Sequence, residues 1–209
     1  MVKIAVVDYD MGNLHSACKG LENAGATTIV TDQADVLLGA DAVLLPGVGA
    51  FDPAMQHIRD RHLEEPIHQA VQSGKPFLGI CLGLQILFEA SEEGTEKGLG
   101  VIPGKVKRFQ PEVGITIPHM GWNQLEVVQK DLPLWQDLAI DPYVYFVHSF
   151  YVQPSNSEVN AATVTHGSQT VTAAIAKDNL MAMQFHPEKS SDIGLKILAN
   201  FVDWVKKSA

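Results

Sequence analysis

The first half of the chain alternates short apolar runs with amphipathic stretches, and this alternation restricts the fold more than any other feature. Val2–Asp8 (VKIAVVD), Asp41–Pro46 (DAVLLP) and Phe77–Ile80 (FLGI) are too short for helices and too uniformly apolar for strands with one wet face, so they read as buried strands. Between them, Leu14, Ala17, Cys18 and Leu21 fall at i, i+3, i+4 and i+7 within Asn13–Gly25. They form one apolar stripe of a helix that Gly25 can stop. Asp52 and Pro53 suit the start of a second helix, which Pro66 should break or restart, and Leu82–Ala90 reads as a third. Strand and helix in turn build parallel βαβ units.

The second half changes character. Val101–Phe109, Trp122–Val128, Tyr143–Val152, Val159–His166, Val171–Ala176 and Leu180–Phe185 read as strands joined by short turns, and a helix over Ile193–Val205 follows. There is no internal repeat, low-complexity tract or Pro/Gly/Ser-rich linker. The 209 residues suffice for one sizeable core and are few for two, so the pattern predicts one α/β domain over 1–209 with a mixed sheet.

Charge and cysteine usage remove several functions. A formal net charge of −9 without any Lys/Arg cluster argues against nucleic acid as a partner, because that binding rests on neutralising phosphates. Only Cys18 and Cys81 are present, too few for a disulfide scaffold. Met1–Asp8 lacks the apolar core and cleavage site of a signal peptide, and no apolar stretch is long enough to span a bilayer. The expectation is a reduced, cytoplasmic protein that engages no membrane. Phosphate-loop, dinucleotide and zinc-ligand spacings are all missing, so no metal and no cofactor is expected.

The chemistry gathers at Gly79-Ile80-Cys81-Leu82-Gly83, a G-x-C-x-G placed where a strand runs into a helix. The serine version of this context is a nucleophile elbow. A sharp turn should lift Cys81 out of the sheet into an exposed, strained position, and the flanking glycines leave room for neighbouring backbone. The helix start should favour thiolate over thiol, and the free N–H of Leu82 should face a developing oxyanion. By itself the motif also fits a tight turn in a packed core. Cys18, on its apolar stripe, reads as a small core residue.

A nucleophilic cysteine needs a base. His186-Pro187-Glu188 follows a buried strand, and residues two apart on an extended chain share a face, so Glu188 can orient the His186 imidazole. A strand-end histidine beside a turn proline is the plainer alternative. Among the other histidines, His57, His62 and His68 read as surface residues, while His15 and His166 have no evident partner. Pro46-Gly47-Val48-Gly49 could turn backbone amides toward a ligand, or be a simple strand-to-helix turn. Gln85, four residues after Cys81, should point its amide back over the nucleophile, unless it is a surface residue.

With these residues in hand, the chain resembles the class I, or triad, glutamine amidotransferases. Gly79–Gln85 (GICLGLQ) and Gln184–Glu188 (QFHPE) carry the likeness. Asp8–Ser16 (DYDMGNLHS), Leu45–Phe51 (LPGVGAF), Pro118–Asn123 (PHMGWN), Tyr145–Phe150 (YFVHSF) and Gln184–Ser190 (QFHPEKS) narrow it to the glutaminases that serve imidazole glycerol phosphate synthesis in the histidine pathway. The resemblance implies a flavodoxin-like fold, with a mostly parallel sheet flanked by helices. It implies that Cys81, His186 and Glu188 hydrolyse glutamine through a glutamyl thioester, with Val48 and Leu82 amides as oxyanion donors. It implies Gly49, Gln85, Ser149 and Phe150 as contacts for the glutamine backbone. It implies a heterodimer with a (βα)8-barrel synthase subunit, which receives the ammonia, with Met120, Trp122 and Asn123 at the interface. Such glutaminases are nearly idle until the partner binds, in line with a misoriented oxyanion donor near Gly47–Gly49. Asp10 departs from the family, which more often has glycine there. Two alternatives stay open: a glutaminase serving another synthase, and a catalytically inactive regulatory homologue.

Overall fold

The computed structural model describes residues 1–208. Its first half runs β1 (Lys3–Val7), α1 (Leu14–Asn23), β2 (Thr27–Thr31), α2 (Ala34–Gly39), β3 (Ala42–Leu45), α3 (Phe51–Asp60), α4 (Glu64–Gln72), β4 (Phe77–Ile80) and the single turn α5 (Leu82–Gln85). The second runs β5 (Phe88–Ser91), β6 (Ile102–Arg108), β7 (His119–Gln124), β8 (Glu126–Val127), β9 (Tyr143–His148), β10 (Phe150–Pro154), β11 (Asn160–His166), β12 (Gln169–Lys177), β13 (Leu180–Met183) and α6 (Ser191–Ser208).

Among the described residues, β2-β1-β3-β4-β13 form the parallel half of an eleven-stranded sheet, which continues as β12-β10-β6-β5, with β11 beside β12 and β8 beside β11. The parallel half has the 2-1-3-4-5 order of flavodoxin-like folds, whose ligands bind beyond the carboxyl ends of the strands. Alternating side chains of β1 explain why both faces must be covered. Ile4 and Val6 pack with Leu21 of α1 and Leu198 and Phe201 of α6, whereas Ala5 and Val7 pack with Leu37, Met55, Ile58 and Ile67 of α2, α3 and α4. The mixed α/β sheet flanked by helices matches the expectation.

Several local expectations do not hold. β2 and α2 were not predicted: TTIVT is a polar edge strand with one buried residue, and α2 is six residues long, too short to display a period. The helix expected over Leu82–Ala90 ends at Gln85, and Phe88–Ser91 pairs with β6 instead. Residues 82–88 are all buried, so no amphipathic period distinguishes helix from strand there. The strand expected over Tyr143–Val152 divides at Ser149. Its first part pairs with β7 in a separate two-stranded ribbon, and its second joins the main sheet. The strand expected over Trp122–Val128 starts earlier, at His119, and is interrupted at Leu125. Pro66 falls within the first turn of α4, where its missing N–H costs nothing, and the break sits just before, at His62 with φ 55°.

Candidate active site

Cys81 leaves β4 with φ 55° and ψ −111°, a left-handed conformation that a non-glycine residue adopts only when its surroundings impose it. The surroundings do so through close packing. A methyl group on Gly83 would overlap the Leu45 carbonyl, and one on Gly79 would come within 2.8 Å of the Ala182 Cβ. The Cys81 N–H donates to the Met183 carbonyl at 2.8 Å, which ties the turn to β13. The expected exposure is not found: Cys81 is 8% exposed, the same as Cys18. What separates the two cysteines is backbone conformation and neighbours. Because α5 is a single turn, little helix dipole reaches the sulfur, and the positive charge beside it comes from His186 instead.

His186 lies just past β13, held by its own N–H on the Tyr145 carbonyl at 3.0 Å. Its Nδ1 is 2.7 Å from Glu188 Oε1, with both side chains under 5% exposed. The two meet through a short 3-10 turn at Pro187–Lys189, not through strand alternation as expected. Ser190 braces the turn, donating from Oγ to the His186 carbonyl at 2.6 Å and accepting the Tyr145 N–H at 2.9 Å. Burial works to lower the imidazole pKa. Hydrogen bonding and charge from Cys81 and Glu188 outweigh it and raise the value to about 9, so His186 is a cation at neutral pH.

The remaining expected residues converge on one cleft of about 290 Å³, lined by Val48, Gly49, Cys81, Leu82, Gln85, Ser149, Phe150 and His186, with Glu93, Pro118, Val147 and His148. A roomier hollow of about 490 Å³, between α4 and the turn from β12 to β13, contains neither cysteine, so size does not select the site. Tyr9 fixes the Pro46–Gly49 loop by donating to the Pro46 carbonyl at 2.7 Å. The Leu82 N–H is not free as expected: it points at the Gly47 carbonyl, 3.3 Å away. Gln85 is buried, not on the surface. It donates to the Phe150 carbonyl at 3.2 Å and to Gln184 Oε1 at 3.0 Å, and Gln184 Nε2 in turn points at Cys81 Sγ from 3.7 Å.

Met120 and Trp122 stand on the outer face of β7, 61% and 53% exposed. Asn123 projects from the other face, where its amide donates to the Thr165 carbonyl at 2.8 Å and meets His119 Nε2 at 3.1 Å. Asp10 adopts φ 63°, which explains why glycine suits the position, and its carboxylate pairs with Arg61. Sequence reasoning missed Gln184, Glu93 and His148. Gln184 was visible in QFHPE, but its neighbours were not. Glu93 Oε2 accepts the Phe51 N–H at 2.9 Å at the start of α3, a contact across 42 positions with no sequence signal.

The model of the family described as Glutamine amidotransferase class-I matches residues 5–204. The chain belongs to this family. As a class-I glutamine amidotransferase it has curated relatives of nearly equal length. An imidazole glycerol phosphate synthase subunit HisH from Cyanothece sp. is 70% identical, over 99% of this chain and 98% of the relative. Those of Gloeothece citriformis and Acaryochloris marina are 69% and 72% identical, over 100% and 97% of this chain and 99% and 95% of theirs. Among solved structures, the fold is similar to PurLQS from Thermotoga maritima, with TM-score 0.74, 22% identity, and 98% and 99% of the two chains covered. The glutaminase domain of Trypanosoma brucei CTPS, solved with bound acivicin, has a similar fold, with TM-score 0.68, 17% identity, and 99% and 94% covered.

Proposed function

We propose that this amidotransferase hydrolyses glutamine to glutamate and ammonia with Cys81, His186 and Glu188, as the glutaminase subunit of imidazole glycerol phosphate synthase. The whole of residues 1–209 forms the glutaminase domain. It works in the cytoplasm as a heterodimer with a (βα)8-barrel cyclase subunit, to which the ammonia passes. The observation that carries this reading is a buried imidazole paired with a carboxylate at 2.7 Å, in the same cleft as a cysteine held at a left-handed elbow. Relatives named HisH, about 70% identical over almost their whole length, support the choice of synthase.

In this mechanism the Cys81 sulfur attacks the side-chain amide carbon of glutamine. His186, held as a cation by Glu188, gives its proton to the departing ammonia and later takes one from the water that hydrolyses the thioester. The Glu93 carboxylate in the cleft suits the α-ammonium of glutamine, and Gly49, Ser149 and Phe150 offer main-chain contacts. The oxyanion would be met by amides of Leu82 and Val48. With the Leu82 N–H directed at the Gly47 carbonyl, this oxyanion site is incomplete until the Gly47–Gly49 segment turns. That requirement accounts for a glutaminase that idles without its partner, which docks on Met120 and Trp122.

The test is a glutaminase assay with and without a barrel-type cyclase. Glutamine turnover should rise steeply on mixing, and Cys81→Ala should remove it while ammonia-dependent synthesis by the partner persists. Normal glutamine hydrolysis by Cys81→Ala would refute the nucleophile.

A further inference from the structure

Away from the triad, buried titratable groups gather on the inner face of the β7–β9 ribbon. His119 and His148 are register partners there, 3% and 6% exposed, with His119 Nδ1 3.0 Å from His148 Nε2. His148 Nδ1 lies 2.8 Å from the Phe150 carbonyl. A carbonyl only accepts, so this nitrogen carries the proton. Burial keeps both rings neutral, lowering His148 to about 3 and His119 to about 4. A neutral imidazole has one N–H, so His148 Nε2 is a lone pair and must accept from His119 Nδ1–H. His119 Nε2 then accepts from the Asn123 amide at 3.1 Å.

Each ring thus fixes the tautomer of the next, and the chain of bonds does not stop at Phe150. The same carbonyl accepts from Gln85, Gln85 donates to Gln184, and Gln184 points its amide at Cys81 Sγ. Two donor chains thus meet at the Phe150 carbonyl, one running from Asn123 through His119 and His148, the other from Gln85, whose second N–H leads through Gln184 to the sulfur. Two buried imidazoles cost desolvation that an apolar pair at the same register would avoid. What they provide, and an apolar pair cannot, is a donor at the Phe150 carbonyl, inside the cleft.

We propose that His148 is a positioning residue for glutamine hydrolysis. Through the Phe150 carbonyl, Gln85 and Gln184 it sets the Cys81 sulfur, and through His119 and Asn123 it couples that setting to the ribbon whose outer face carries Met120 and Trp122. The inference rests on the glutaminase reading above and extends it to how the ribbon acts on the site.

The experiment uses the chain with its barrel-type cyclase and two substitutions. His148→Leu keeps bulk and removes the donor; His148→Asn keeps an N–H in the place of Nδ1. The readouts are kcat and KM for glutamine, the ammonia-dependent rate of the same complexes, and the thermal midpoint. His148→Leu should lose about tenfold in glutamine kcat, the size expected for one misplaced buried hydrogen bond, and His148→Asn should recover most of it. Both should leave the ammonia-dependent rate unchanged. Equal losses in the two variants, or losses that only follow the thermal midpoint, would overturn the positioning role. So would nitrogen NMR of the wild-type rings at neutral pH showing the proton of His148 on Nε2. A wild-type complex without glutaminase activity would instead overturn the underlying reading. Failure of the asparagine variant beside an active wild type strikes the positioning role alone.

Discussion

Cys18 on α1 and Cys81 at the elbow after β4 are equally screened from water, yet their surroundings differ in every respect that governs reactivity. Cys18 sits in a regular helix against the core, and burial pushes its thiol pKa up. Cys81 sits at φ 55° with a cationic imidazole and an amide donor beside it. Access to solvent therefore does not separate the two thiols. Backbone strain and the sign of the neighbouring charge discriminate where exposure does not.

The comparison can be broken most directly at the sulfurs. Cys81→Ala should lower glutamine turnover by about 10⁴-fold or more in the assembled enzyme, the scale of a lost nucleophile, while Cys18→Ala should leave it within about twofold. Trapping with a glutamine-mimicking electrophile followed by peptide mass analysis should mark Cys81 only; label on Cys18 would erase the distinction. Next in size, Glu188→Gln should reduce kcat about a hundredfold or more with little change in glutamine binding, because it leaves the imidazole without its counter-charge. Equal losses in both would make Glu188 a fold residue.

The glycines beside the two cysteines sharpen the contrast in stability. Gly83→Ala drives a methyl into the Leu45 backbone carbonyl and should cost about 2–4 kcal/mol by denaturant unfolding. Gly20→Ala, on α1, meets only the end of the Leu198 side chain, which can move, and the gain in helix propensity of about 1 kcal/mol should make it near neutral.

The last contrast is a pH dependence. The folded pKa of His186 lies above its ordinary 6.5, at about 9, so its contribution is fully present below pH 6.5 and is lost as pH rises through 9. Stability should fall in that window with a slope of up to about 1.4 kcal/mol per pH unit, and His186→Gln should flatten it. His148 has the opposite sign. Depressed to about 3 by burial, with His119, His166 and His186 adding repulsion, it favours the fold above pH 6.5 and loses that contribution as pH drops. His148→Leu should remove part of the acid slope and leave the alkaline slope intact.

Much of the fold was legible in the chain because both faces of its parallel strands are buried. Uniform apolar runs such as FLGI have no other stable placement, and the glycines of G-x-C-x-G announce a close backbone approach. Legibility failed where burial removed the pattern or where pairing was distant. Residues 82–88 are buried on all sides, so helix and strand were indistinguishable there. Ser149 parts two strands that differ only in the partner each finds. Gln85 could be placed near Cys81 by helical spacing, but its true partner, Gln184, lies 99 positions away.

The amino-acid sequence by itself determined that this protein would bury a parallel α/β sheet, bend sharply at Cys81, and place a histidine and a glutamate two residues apart after a late strand. These are local matters of hydrophobic period, glycine geometry and short spacing. Only the tertiary structure decided that Cys81 would be enclosed, that the Leu82 amide would face Gly47, and that the ribbon histidines would connect to the sulfur through Phe150 and two glutamines. Those outcomes depend on which distant donors and acceptors become neighbours, and chain packing alone sets that.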